Sequence, residues 1–140
     1  MAAALDLKTA LRDADLIARI KVVSTKPAPT GSRYKQLALA TITDGIKGPK
    51  AGDTIQLLSD NGSICPNVLY GANDDCIIFA RRTPEGYYET MNTYAGQFRV
   101  RDGLVEDCYL FRRTAPELAK NAKSEAIISA FRRLINTPNK

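Results

Sequence analysis

The stretch that decides the fold reads Leu16-Ile17-Ala18-Arg19-Ile20-Lys21-Val22-Val23. Its even-numbered positions are all apolar, and Arg19 and Lys21 lie between them. Successive side chains of a β-strand point to opposite faces of a sheet, so this alternation predicts a strand with one buried and one solvated face. One-sided strands of this kind are typical of antiparallel sheets.

Further strands are predicted downstream, and each ends near residues that favour turns. Their ranges are 34–43, 54–58, 77–80, 87–91, 97–101 and 104–111. The segment Lys47–Asp53 is the strongest predicted reversal because of its Pro and Gly residues, and Asp102-Gly103 is typical of a two-residue hairpin. In the second strand, we expect Leu37 and Leu39 to form the apolar face, opposite Ala38.

Helical patterns occur only near the two ends of the chain. Apolar residues recur at helical spacing from Leu7 to Ala14 and predict a short helix over about residues 6–14. An apolar stripe from Ile127 to Ile135 predicts a second helix over about residues 124–136. Short strands with helices only at the ends favour a closed barrel over a parallel α/β sheet. The sequence therefore predicts one mainly-β domain over residues 1–140, an OB-type barrel of five or six strands with a short N-terminal helix and a C-terminal helix.

The 140-residue chain contains no histidine. This excludes a Ser-His-Asp or Cys-His catalytic site and a zinc site with histidine ligands. The three cysteines, Cys65, Cys76 and Cys108, lack the C-x-x-C pairing typical of structural zinc sites, and no phosphate-binding loop motif occurs. We therefore expect no enzymatic activity, no cofactor and no metal site.

The basic residues define a candidate binding face. Lysine and arginine outnumber aspartate and glutamate by 20 to 15, which gives a formal net charge of +5 and favours anionic partners. The basic residues are spread along the chain rather than clustered, which fits a role in solubility better than nucleic-acid binding. In the alternating strands, Arg19, Lys21, Arg99 and Arg101 occupy the solvated positions, and either Tyr87 or Tyr88 must also point outward; of the two, we place Tyr88 beside the four cations. These five residues form the candidate face.

Short segments spread over about residues 5–135 carry a family resemblance. They are Ala14–Ile17, Ile46–Gly48, Gly52–Ile55, Cys65, Gly71, Ile77–Phe79, Phe98–Gly103 and Phe131–Leu134. In their order and spacing they resemble a group of bacterial extracytoplasmic OB-fold proteins similar to the N-terminal domain of the tissue inhibitors of metalloproteinases. The resemblance implies a periplasmic or secreted protein and implies no activity.

The cysteines depart from the pattern of the inhibitors, whose N-terminal cysteine binds the protease zinc. No cysteine precedes Cys65 here, so inhibition by that route is not implied. The compartment implied by the resemblance permits a disulfide. We expect one that includes Cys65, the cysteine that matches the family, with Cys108 preferred over Cys76 as its partner. Residues 1–4 lack a signal-peptide pattern, which leaves a cytoplasmic location open.

Two functions fit a small basic OB barrel. The first is a monomeric module that binds a protein partner of unknown identity, because OB barrels bind ligands across one strand face and the adjoining loops. Loops 26–32 and 60–75 would form its rim, and no apolar run is long enough to span a membrane. The alternative is single-stranded nucleic-acid binding, with bases stacked on Tyr88 and phosphates on Arg99. We expect this alternative to fail, since the tyrosines are not interleaved with a basic run.

Overall fold

The computed structural model of the protein describes residues 7–63, 67–106 and 123–136. The helices are α1 (Leu7–Asp13) and α2 (Ser124–Asn136), and a 3₁₀ turn covers Thr93–Gly96. The strands are β1 (Leu16–Pro27), β2 (Gln36–Lys47), β3 (Thr54–Ser59), β4 (Asp75–Arg82), β5 (Tyr88–Thr90), β6 (Gln97–Arg101) and β7 (Leu104–Val105). Within these ranges no helix is long and apolar enough to cross a membrane.

Five strands close into a barrel in the order β1-β2-β3-β5-β4, with β4 pairing back onto β1. All neighbouring strands in the barrel are antiparallel except β3 and β5, which meet in parallel through Leu57 and Tyr88. Strand β6 extends the sheet beyond β4, and β7 forms a hairpin with it across Asp102-Gly103. The predicted OB-type barrel with one helix near each end is therefore confirmed.

The long strands β1 and β2 curve enough to close the barrel because their pairing is irregular. Their register shifts at three places, and the shift between Val22 and Ser24 leaves Val23 without a partner and 54% exposed. A β-bulge of this kind bends a strand and increases its twist. The first half of β1 can therefore pair with β4 on its other side.

Small side chains fill much of the barrel interior. Ala38 and Ala40 of β2 are fully buried, whereas Leu39 is 39% exposed. The prediction that Leu37 and Leu39 form the core-facing side of this strand is therefore wrong for Leu39, whereas Leu37 is buried in the same cluster as Ala38 and Ala40. A narrow five-stranded barrel leaves little room for side chains, so alanine can be the interior residue where leucine is the exposed one.

Both faces of β4 are buried, which accounts for its uninterrupted apolar run. Ile78 and Ala80 belong to the cluster inside the barrel, and Ile77 and Phe79 belong to a second cluster with the helices. The Phe79 ring makes an edge-on contact with Phe131 of α2, with centroids 5.2 Å apart. The two helices therefore cover the outside of the barrel at β4 and leave its opposite side to the loops.

Several predictions fall on residues outside the described ranges. They include the end of the last predicted strand, from residue 107 to 111, and both cysteines of the expected disulfide, Cys65 and Cys108. The third cysteine, Cys76, is a buried free thiol. The disulfide therefore stays a prediction.

Candidate binding site

The predicted basic face lies around the start of β4, where its arginines are held by aspartates. The Arg19 guanidinium donates to both carboxylate oxygens of Asp75, from Nε at 2.9 Å and from Nη2 at 2.7 Å. Only about a quarter of either side chain is exposed, 23% for Arg19 and 25% for Asp75. The hydrogen bond to Asp75 raises the pKa of Arg19 above its ordinary value. Arg19 is therefore a structural cation rather than a free one.

The other two arginines of the predicted face are also paired. Arg99 lies 3.1 Å from the Asp74 carboxylate, and its Nη2 donates to the carbonyl oxygen of Leu69 at 3.2 Å. Arg101 lies 3.1 Å from the carboxylate of Glu106. Lys21 is exposed on β1 beside this group. Three of the four cations thus have acidic partners within the protein.

The structure does not place Tyr88 on this face. Tyr88 pairs with Arg82 at the end of β4, whereas Arg99 pairs with Cys76 near its start. The two positions are about 20 Å apart along the strand. Tyr88 is also buried, with 9% of its surface exposed. The placement of Tyr88 on the outward face is therefore wrong, because β5 closes the barrel and turns Tyr88 toward the core while Glu89 lies on the outer side. Of the two tyrosines, Tyr87 is the partly exposed one.

A different site forms where two loops approach each other at the end of β4. The β1–β2 loop (residues 28–35) and the β4–β5 loop (residues 83–87) line a cavity of about 720 Å³. A second cavity of about 600 Å³ adjoins it and reaches Asn61 and Ser63. Both cavities share Arg33, Tyr34, Arg81 and Glu89. We call these two adjoining cavities the loop cleft.

Backbone hydrogen bonds shape the two loops. In the β1–β2 loop, the N–H of Ala28 donates to the carbonyl of Lys35 at 2.9 Å and closes its base. The N–H of Gly86 donates to the carbonyl of Thr83 at 3.0 Å in the β4–β5 loop. Gly86 has φ +90°, a left-handed conformation that glycine adopts without steric cost. The short β4–β5 loop is therefore a defined turn.

A side-chain link fastens the β1–β2 loop to the barrel. The Tyr34 hydroxyl donates to Oε2 of Glu89 at 2.7 Å, and Nη2 of Arg33 donates to the same oxygen at 3.1 Å. Burial and the hydrogen bond to Glu89 raise the pKa of Tyr34, so its hydroxyl stays protonated and keeps donating. Because Glu89 lies on β5, this link holds the loop in place before any ligand arrives.

The two arginines at the end of β4 have weak acidic contacts. Arg81 lies 3.6 Å from the carboxylate of Asp13, which itself makes a closer contact of 2.8 Å with Arg12. Arg82 forms no ion pair with any described carboxylate. Asp15 lies nearby, but its carboxylate accepts from the backbone N–H of Arg82 at 2.8 Å. Arg81 and Arg82 are therefore less tightly paired than Arg19 and Arg99.

The polar groups behind the cleft are buried and satisfied. The Tyr70 hydroxyl is hydrogen-bonded to the hydroxyl of Thr90, and the N–H of Tyr70 donates to Oγ of Ser59 at 3.0 Å. Burial raises the pKa of the Cys76 thiol to about 12, which keeps it protonated and a poor nucleophile. Among residues 7–63, 67–106 and 123–136, no three His, Cys, Asp or Glu side chains gather as metal ligands.

The sequence contained part of the information needed to find the cleft. Pro29–Ser32, Asn61 and Ser63 line it, and they belong to the two loops considered as a rim. The doublet Arg81-Arg82 after the apolar run of β4 was a visible signal that the predicted face did not use. Nothing in the sequence pointed to the link between Tyr34 and Glu89, which are far apart in the chain.

Comparisons with known proteins identify no relative of this chain. No protein-family model and no curated protein matches the sequence, and no solved structure matches the fold. The geometry of the cleft therefore carries the functional argument.

Proposed function

We propose that this protein is a small non-enzymatic binding module that recognises another protein through the loop cleft. The observation that carries the proposal is the link from Tyr34 and Arg33 to Glu89, which holds the β1–β2 loop over the barrel. A site that is already ordered loses less conformational entropy on binding. The cleft also lies where OB barrels use their first and fourth loops for ligands.

The absence of catalytic groups supports a binding role. The chain contains no histidine, and the described cysteine, Cys76, is buried at the start of β4, away from the cleft. We also propose a periplasmic or secreted location, which rests on the family resemblance, and a monomeric state. A hydrolase screen in which turnover is lost on substitution of a single Asp or Glu would overturn the non-enzymatic assignment.

Single-stranded nucleic-acid binding stays the alternative prediction. Its stacking residue, Tyr88, is buried, and its arginines, Arg99 and Arg101, are paired with Asp74 and Glu106. Bases stack on exposed aromatic faces, and phosphates bind to cations that lack other partners. These observations favour a protein partner over an oligonucleotide.

The test is a capture experiment with a variant that blocks the cleft. Thr30 is exposed on the β1–β2 loop and lines the cleft, so Thr30→Trp fills it with a bulky ring. Thr25→Trp introduces the same ring at an exposed position of β1 outside the cleft. We expect the immobilised wild-type protein and Thr25→Trp to retain the same protein from a cell-envelope fraction, and Thr30→Trp to lose it. Retention that is equal in all three proteins, or no specific retention by the wild type, would contradict the proposal.

A further inference from the structure

A third cavity lies beside the loop cleft, and Arg82 lines both. The third cavity, of about 470 Å³, lies between Thr54–Gln56 of β3 and the β4–β5 loop. Arg81 lines both cavities of the loop cleft, and Arg82 lines the larger of them and the third cavity. A ligand that follows the three cavities therefore passes Arg81 and then Arg82.

The two guanidinium groups are set apart by the geometry of the strand. Arg81 and Arg82 are consecutive in β4, and successive side chains of a strand point to opposite faces. Arg81 pairs across the sheet with Glu89 on the outer side, whereas Arg82 pairs with Tyr88. Two separated guanidinium groups match two anionic groups spaced along a chain better than they match one compact phosphate, because each can bind its own carboxylate in a two-pronged fashion.

We propose that the partner presents an extended acidic segment to the cleft, with separate carboxylates bound by Arg81 and Arg82. This inference rests on the proposed function and names the chemistry of its partner. Both arginines are exposed; Arg81 has a single 3.6 Å contact with Asp13, and Arg82 has no ion pair among the described residues, whereas Arg33 lies 3.1 Å from Glu89. The cleft therefore offers two positive groups that an acidic segment neutralises.

An oligonucleotide fits this cleft less well than an acidic peptide. Of the two tyrosines that line the cleft, Tyr34 is 9% exposed with its hydroxyl bonded to Glu89, and Tyr87 is only partly exposed, so neither offers a fully open ring face. Glu85 and Glu89 also line the cleft and would repel a continuous row of phosphates. A peptide carries its charges on side chains that can avoid these two carboxylates.

The experiment measures binding of fluorescent peptides to the full chain by anisotropy. The probes are a peptide of alternating glutamate and serine, the same peptide with glutamine for glutamate, and an oligothymidylate of equal charge. The test variant is Arg81→Gln with Arg82→Gln. The control, Lys8→Gln with Lys123→Gln, removes the same charge from exposed positions outside the cleft. Thermal melting verifies that both variants are folded.

We expect the glutamate peptide to bind the wild type more tightly than the glutamine peptide does. The arginine variant is expected to weaken binding of the glutamate peptide about tenfold, from two ion pairs of about 0.7 kcal/mol each, while the lysine control stays within about twofold. Higher salt is expected to weaken the binding.

Three outcomes would overturn the inference. They are equal loss in the arginine and lysine variants, no binding of the glutamate peptide, and tighter binding of the oligothymidylate than of the glutamate peptide. The capture experiment separates this inference from the proposed function. If the arginine variant retains the envelope protein while Thr30→Trp loses it, the cleft binds a protein without using these arginines, so the inference fails and the proposed function stands.

Discussion

The two ends of β4 use arginine in different ways. At the start of the strand, Arg19 and Arg99 are held by the adjacent aspartates Asp75 and Asp74 at 2.7 and 3.1 Å. At its end, Arg81 has one acidic contact, at 3.6 Å, and Arg82 has none among the described carboxylates. At the start of β4, which we call the closed end, the arginines are paired within the protein. At the other end, which we call the open end, Arg81 and Arg82 face the loop cleft with weaker internal pairing.

The difference shows that the neighbours of a basic residue, rather than its position in an alternating strand, decide whether it is available to a ligand. Arg19 and Arg99 occupy alternating, solvated positions, as a ligand-binding residue would, yet β1 and β6 bring them beside the acidic start of β4. At the other end of β4, the carboxylate of Asp15 accepts a hydrogen bond from the backbone N–H of Arg82. A surface arginine is thus available to a ligand only where the fold gives it no close acidic partner.

The largest effect is expected from breaking the closed end of β4. Asp75→Asn removes the negative charge that Arg19 contacts, and Arg19 is too poorly exposed to be fully hydrated instead. Hydrogen bonds to charged groups contribute about 2 kcal/mol, and we expect a loss of this size in the free energy of unfolding. Urea denaturation measures the change. The matched control is Glu85→Gln in the exposed β4–β5 loop, which should cost less than about 0.5 kcal/mol. Equal costs for the two variants would mean that Arg19 does not depend on Asp75.

A smaller effect is expected from the link that orders the cleft. Tyr34→Phe removes the hydroxyl that donates to Glu89, at an expected cost of about 1 kcal/mol in unfolding free energy. Hydrogen exchange should show faster exchange of the β1–β2 loop amides, because the loop loses its attachment to β5. Tyr87→Phe, at a partly exposed tyrosine of the same cleft, serves as the control. Unchanged exchange in Tyr34→Phe would show that the loop is ordered by its backbone alone.

The smallest effect on stability is expected at the open end of β4. Arg81→Gln with Arg82→Gln removes two exposed cations that have little internal pairing, so the unfolding free energy should change by less than about 0.5 kcal/mol. Denaturation curves for this variant and for Asp75→Asn compare the two ends directly. A loss above about 1.5 kcal/mol would place Arg81 and Arg82 among the structural cations and remove the contrast.

Local sequence signals predicted the elements that are determined by nearby residues. The helix Ser124–Asn136 and the strand Gln97–Arg101 begin and end as the apolar spacing indicated, and the Asp102-Gly103 turn joins β6 to β7. The predicted first strand ended too early, at Val23, because the bulge there interrupts the alternation while the strand continues to Pro27. A periodic pattern detects a strand and misses an irregularity within it.

The sequence by itself determined the mainly-β barrel with a helix near each end, because alternation, turn residues and helical spacing are properties of neighbouring positions. The absence of histidine likewise excluded whole classes of catalytic site without any coordinates. Only the tertiary structure decided which charged and aromatic side chains are available. Closure through β5 buried Tyr88, strand pairing brought Asp74 and Asp75 to Arg99 and Arg19, and the contact of Tyr34 with Glu89 made the cleft. These outcomes depend on contacts between residues far apart in the chain, and a single sequence carries no local signal for them.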